Sequence, residues 1–169
     1  QLDEYIKNKE KASTLSIQKD EETIKELSSQ IIKLGGTPNI ENKDLKELIK
    51  NLTRQLDQLN VNSVLKDKTK NIINDQKIKD IKVRFQKVID LPPKDLRKLV
   101  DNGKKELGDG IIIVFATNED KVGLAVGITE KLVDKYDAVK FAKLGSETIG
   151  GKGGGGRKDF AQAGGINKN

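Results

Sequence analysis

The residues best suited to chemistry lie near the end of the chain, in Gly150-Gly151-Lys152-Gly153-Gly154-Gly155-Gly156-Arg157-Lys158-Asp159-Phe160-Ala161-Gln162-Ala163-Gly164-Gly165. Eight of the protein's 16 glycines fall in this stretch. Glycine reaches positive φ and lets a backbone approach a ligand closely. Lys152, Arg157 and Lys158 place cations among these glycines. A polar, glycine-dense loop with cations is suited to lie against phosphate or sugar. The same composition also describes a flexible linker. The run from Asp159 to Ala163 argues against a linker, which has no need of an aromatic residue amid small helix formers.

Composition excludes several kinds of chemistry. The 169 residues contain neither cysteine nor histidine. That removes a disulfide framework, Ser-His and Cys-His arrangements and zinc sites of the His/Cys type. No catalytic residue and no metal ligand is therefore assigned. Hydrophobic residues make up 34% of the chain, aromatics 4% and charged residues 34%. This balance fits long solvated helices joined to a smaller core. The net charge of +6 favours an anionic partner such as nucleic acid, although a lysine-rich proteome produces the same excess. No apolar run approaches membrane-spanning length, and no signal peptide opens the chain. The chain starts at Gln1 as if in mid-helix, and is expected to be a piece of a longer protein.

The elements that would position the glycine stretch fall into two parts. Residues 1–76 read as a helical arm. Ile24, Leu27, Ile31 and Leu34 recur three and four apart as one stripe of a first helix. Ser13-Thr14 could interrupt it, and Gly35-Gly36 should end it. Thr37-Pro38 offers a cap and a first-turn proline. A second helix is predicted from about residue 43 to 60, with Leu45, Ile49, Leu52, Leu56 and Leu59 forming an a/d seam. An antiparallel hairpin or a second copy of the chain could satisfy that seam. A break at Asn60–Ser63 and a weaker amphipathic helix from Val64 to Asn74 complete the arm.

Residues 77–169 read as a small α+β domain. Ile81, Val83 and Phe85 alternate with Lys82, Arg84 and Gln86, predicting a half-buried strand whose Lys82, Arg84 and Lys87 form a solvated polar face. Pro92-Pro93 opens a helix with Leu96, Leu99, Val100 and Leu107 on one face, ended by Gly108. Ile111–Ala116 is a continuous apolar run, expected as a central strand, and Val122–Ile128 is its hairpin partner. A short capped helix at Thr129–Lys135 precedes one capped by Asp137, with Val139, Phe141, Ala142, Leu144 and Ile149 inward. The expected architecture is a coiled-coil-like hairpin arm followed by a short sheet with helices on one side.

The glycine stretch closely resembles the C-terminal domain of the alanyl-tRNA synthetases, a member of the DHH-associated domain family, whose signature looks like GGKGGGRPDMAQAGG. The upstream run Asp95-Leu96-Arg97-Lys98-Leu99-Val100-Asp101, then Leu107-Gly108 and Ile111–Ala116, is similar as well. The resemblance covers residues 78–165 closely and residues 1–77 only in type. Three departures stand out: an extra glycine between Lys152 and Arg157, Lys158 in place of proline and Phe160 in place of methionine.

This resemblance implies an RNA-binding appendage that contacts the tRNA elbow, expected to be that of alanine tRNA, and helps couple aminoacylation to editing. It implies tRNA contacts at Lys152, Gly153, Gly154, Gly155, Gly156, Arg157 and Lys158. It also implies ATP, magnesium and zinc for a parent ligase, none of them for this chain, together with a cytoplasmic location, a possible homodimer and no DNA or membrane partner. The residues themselves leave alternatives. Arg157 could pair with Asp159 instead of phosphate, and Phe160 is expected in the core. The chain could serve mainly as a dimerisation module, or bind phosphate esters as DHH-type proteins do.

Overall fold

The structure, a computed structural model, describes residues 2–166. The chain divides into two compact units at Ser63–Val64. The first is a helical hairpin. Helix α1 spans Leu2–Lys33 and α2 spans Leu45–Lys66. Helix α1 runs through Ser13-Thr14 without interruption: the Thr14 hydroxyl donates to the Glu10 carbonyl at 2.9 Å, a bond that fits inside a helix. Gly35 ends α1 with φ +78. The N–H groups of Gly35 and Gly36 return to the carbonyls of Ile32 and Ile31, both at 2.9 Å. Thr37-Pro38 opens no helix. Asp44 caps α2 instead, accepting from the N–H groups of Lys46 and Glu47 at 2.9 and 3.1 Å. The intervening loop is tied down by Gln55, whose amide donates to the Thr37 carbonyl at 2.6 Å. Part of the apolar seam closes within the hairpin, where Ile31, Leu48 and Leu52 are buried with Ile24, Leu27, Leu56 and Leu59 packed around them, while Leu45 and Ile49 are half-buried outside that cluster.

The expected break at Asn60–Ser63 does not occur, because α2 continues to Lys66. Of the helix expected from Val64 to Asn74 only Val64–Lys66 is helical, as the end of α2; the rest is a turn at Asp67, whose carboxylate accepts from the Thr69 N–H at 2.9 Å, and then strand β1, Asn71–Ile78. The boundary expected after residue 76 thus falls inside a strand.

The second unit is a six-stranded mixed sheet. Its further strands are β2 (Ile81–Ile89), β3 (Ile111–Asn118), β4 (Lys121–Ile128), β5 (Gly154–Arg157) and β6 (Phe160–Gly165), in the order β1-β2-β3-β4-β6-β5. Only β2 and β3 run parallel; the other neighbours are antiparallel. Helix α3 (Leu96–Leu107) connects β2 to β3, and α4 (Ala138–Thr148) connects β4 to β5. All four apolar residues predicted on the inner face of α3 are buried.

The two helices cover opposite faces of the sheet, not one face as expected. Along β4 successive residues alternate between faces. A Cβ at Gly123 or Gly127 would strike Leu96 or Val100 of α3, whereas Leu124 packs against Gly145 of α4. Covering both faces explains why every residue of β4 after Lys121 is buried. It also corrects the reading of β2. Arg84 is not solvated but only 8% exposed. It sits opposite Asp75 of β1 and beneath α3, with Nε donating to Asp75 at 2.7 Å, Nη2 to the same carboxylate at 2.8 Å, and Nη1 paired with Glu106. Lys82 and Lys87 remain exposed as expected, Lys82 also donating to the Leu107 carbonyl at 3.3 Å.

At α4 the Asp137 cap accepts from the Val139 N–H at 2.9 Å, as the sequence indicates. Leu144 points outward instead, 66% exposed, and Ser146 takes an inward position. The expected helix at Thr129–Lys135 is a single 3-10 turn, Glu130–Leu132. Thr129 does not cap it, because its hydroxyl accepts from the Gly110 N–H at 2.9 Å. No helix among the described residues is long and apolar enough to cross a membrane.

Candidate nucleic-acid interface

The glycine stretch is not a loop throughout. After a turn at Gly150–Gly153 it forms the hairpin β5–β6, and β6 inserts between β4 and β5. Phe160, Ala161, Gln162 and Ala163 are therefore strand residues, their period of two masked by small side chains. The turn is fastened to α4 by Ser146, which is fully buried. Its carbonyl accepts from the Gly151 N–H at 2.8 Å and its hydroxyl from the Gly153 N–H at 3.0 Å. Gly153 has φ +122, a conformation that side chains oppose. The far end of the hairpin, Lys158-Asp159, is fixed through its carbonyls. Lys158 accepts from the Ala138 N–H at 2.9 Å. Asp159 accepts from the Ile128 N–H and from the Lys104 ammonium, both at 2.9 Å. A rigid surface results, not a linker.

Strand pairing decides which residues share a face. Gly155 pairs with Gln162, which pairs on its other side with Ala125. Arg157 pairs with Phe160, and Gly164 with Gly123. Paired residues point to the same side, and this is the side covered by α3. Here an open groove of about 640 Å³ is bounded by Pro93 and Leu96, by Lys152–Gly155 and Gln162, and by Lys143 of α4. Beyond it Phe160 is buried, as expected, beneath Arg97, whose guanidinium carbon lies 4.9 Å from the ring centroid. Arg157 makes the alternative ion pair with Asp159 at 3.3 Å, yet its side chain stays 71% exposed. Such a surface pair holds the arginine weakly.

Of the residues singled out in the sequence, Lys152, Gly153, Gly154 and Gly155 line the groove. Gly156 and Arg157 continue along β5, and Lys158 lies at the hairpin tip. Pro93, Leu96, Arg97, Lys143 and Gln162 join the surface without having been singled out as contacts. Arg97 and Lys143 lie 55 and 9 residues before Lys152, on two helices, so no local spacing marks them. The alternation of Phe160, Gln162 and Gly164 was the one available signal for Gln162. Lys82 and Arg84 lie on the same face but on β2, toward the opposite edge of the sheet, and are engaged there.

Among the described residues no three His, Cys, Asp or Glu side chains come together to hold a metal ion. The zinc implied for a parent enzyme does not fit this chain, which lacks both usual ligand types.

The fold and this surface define a small sheet domain of the kind that carries a glycine-rich hairpin at its edge, and the comparisons agree. The family described as the DHHA1 domain matches residues 80–169, and the chain belongs to that family. It is 47% identical over 91 residues to an alanine–tRNA ligase of Parvibaculum lavamentivorans, covering 53% of this chain and 10% of that protein. It is 50% identical over 86 residues to an alanine–tRNA ligase of Rhodopseudomonas palustris, covering 50% of this chain and 10% of that protein. The match thus spans about a tenth of the length of these relatives. Among solved structures, the C-Ala domain from Aquifex aeolicus alanyl-tRNA synthetase is similar in fold, with a TM-score of 0.53 at 24% identity, covering 57% of this chain and 86% of that one.

Proposed function

We propose that this chain is the C-terminal region of an alanine–tRNA ligase and binds the outer corner of a tRNA, expected to be alanine tRNA, through the groove and cations around β5 and β6. The observation that carries the reading is the coincidence of DHHA1 membership with a rigid glycine hairpin ringed by Arg97, Lys143, Lys152 and Arg157. Exposed cations beside side-chain-free backbone suit RNA read by shape, phosphate and 2′-hydroxyl. In this reading the chain performs no chemistry itself. It holds tRNA for aminoacylation and editing in a cytoplasmic parent enzyme, whose other parts would carry the ATP, magnesium and zinc.

Binding of an intact tRNA and of one with its D- and T-loop contact disrupted tests the proposal. The intact tRNA should bind more tightly, with log affinity falling linearly against log salt. Equal binding of the two would refute elbow recognition.

A second role in self-association is favoured by α1, whose Leu2, Tyr5, Leu15 and Ile17 are 71%, 62%, 69% and 47% exposed. Light scattering across a concentration series would reveal a dimer, and Leu15→Lys should dissolve it. A constant monomer mass would remove this role.

A further inference from the structure

We infer that the groove beside β5 and β6 takes one unstacked nucleobase, with Lys143 and Lys152 contacting the phosphates that flank it. This rests on the reading that the chain binds tRNA, and adds that one nucleotide is engaged through its base as well as through the backbone.

The groove is larger and less polar than phosphate contact requires. Its volume of about 640 Å³, open to solvent, is roomy enough to admit a planar base. The apolar part of its wall is the half-buried Pro93, since Leu96 behind it is buried, and the cations reach it from the opposite elements, α4 and the turn before β5. A phosphate would use the cations and leave the apolar wall idle; a base with its attached phosphates would use both. The backbone of β6 is committed to ladders on both sides, with β4 and β5. The polar group of β6 offered to a ligand is therefore the Gln162 side-chain amide, which both donates and accepts and so can pair with a base edge.

The space beside that amide exists because its cross-strand neighbour is Gly155. A Cβ at Gly155 would meet no heavy atom within 4 Å, and its φ lies outside the positive range. Unlike Gly153 and Gly156, whose φ values are +122 and +149, Gly155 is not required by backbone conformation. It leaves open a volume that a larger side chain would fill.

Gly155→Leu tests this directly. It fills the groove while leaving Lys143, Lys152, Arg97 and Arg157 in place. We expect an unchanged melting temperature, about a tenfold or greater loss of tRNA affinity, and an unchanged slope of log affinity against log salt. Lys143→Ala and Lys152→Ala should each reduce that slope by about one. Parental affinity in Gly155→Leu would overturn the nucleobase pocket while leaving tRNA binding intact; failure of the parent chain to bind any tRNA would remove the underlying reading itself. Should Gly155→Leu not fold, Gln162→Ala decides: a loss of affinity at constant salt slope is expected, and unaltered affinity overturns the proposal.

Discussion

Gly155 and Gln162 stand opposite each other across the last two strands, and a Cβ at Gly155 would meet no heavy atom within 4 Å. Gln162 is thereby left exposed on a strand whose neighbours Phe160 and Ala161 are buried. Its amide is neutral, beside Lys143 and Lys152. Gln162→Glu keeps the shape and adds a negative charge. If RNA passes here, binding should fall at least about tenfold at moderate salt, because like charges brought together at an interface are strongly unfavourable. The loss should shrink as salt rises, since the added repulsion is screened. Filter binding at several salt concentrations measures both.

The buried Ser146 hydroxyl and the Gly153 N–H form a different kind of support, holding the turn before β5 at 3.0 Å. Ser146→Ala removes one hydrogen bond without adding bulk. It should cost about 1 kcal/mol and speed amide exchange at Gly153 more than in β6. Gly153→Ala should cost about 1–3 kcal/mol, because its φ of +122 is one that alanine resists. Urea denaturation and amide hydrogen exchange check the pair; an unaffected Ser146→Ala would mean that the turn holds its shape without α4.

Arg84, Asp75 and Glu106 join the edge strand β1 to the sheet and to α3. The hydrogen bonds from Arg84 hold the Asp75 carboxyl below its usual range. Those same carboxylates, Asp75 first, hold the guanidinium above its usual range. A carboxyl depressed in the folded state contributes stability that is present above its unfolded value, about 3.9, and lost as pH falls through the folded value. The parent should therefore lose stability on acidification below about pH 4, and Asp75→Asn should lack that part of the dependence. Near neutral pH, Asp75→Ala should cost about 1–3 kcal/mol, since buried guanidinium donors lose their acceptor. Thermal melts from pH 3 to 7 check the direction.

The same triad shows where the sequence was legible and where it was not. Elements with strong internal periodicity were visible: the apolar run that became β3, the α3 face of Leu96, Leu99, Val100 and Leu107, and the Gly35 terminus of α1. Elements defined by their neighbours were hidden. Strand β1 carries Ile72 and Ile73 on an edge, where they are 50% and 46% exposed, and its pairing with β2 supplies the order that local pattern does not. Strand β5 is three glycines and an arginine, strand-forming only because β6 lies beside it. Arg84 read as a solvated charge because α3 returning over that face is a tertiary fact. In the candidate interface, the glycines and Lys152 were evident from spacing, whereas Arg97 and Lys143 arrive from separate helices.

Leu52 and Leu45 belong to one predicted seam but have different surroundings. Leu52 is fully buried against α1, whereas Leu45, at the start of α2, is only half-buried and lies outside the hairpin core. Leu48, which falls off the predicted seam, is buried instead at 6% exposure. The shift follows from closing the seam against Ile24, Leu27 and Ile31 of the same chain. Leu52→Ala should therefore destabilise the hairpin by about 2–5 kcal/mol, and Leu48→Ala should fall near the same range. Leu45→Ala should cost less than either. Far-UV circular dichroism during urea unfolding, at low and high protein concentration, measures all three. A Leu45→Ala penalty that equals that of Leu52→Ala and grows with protein concentration would mean that a second copy covers Leu45, displacing the hairpin as the seam's whole purpose.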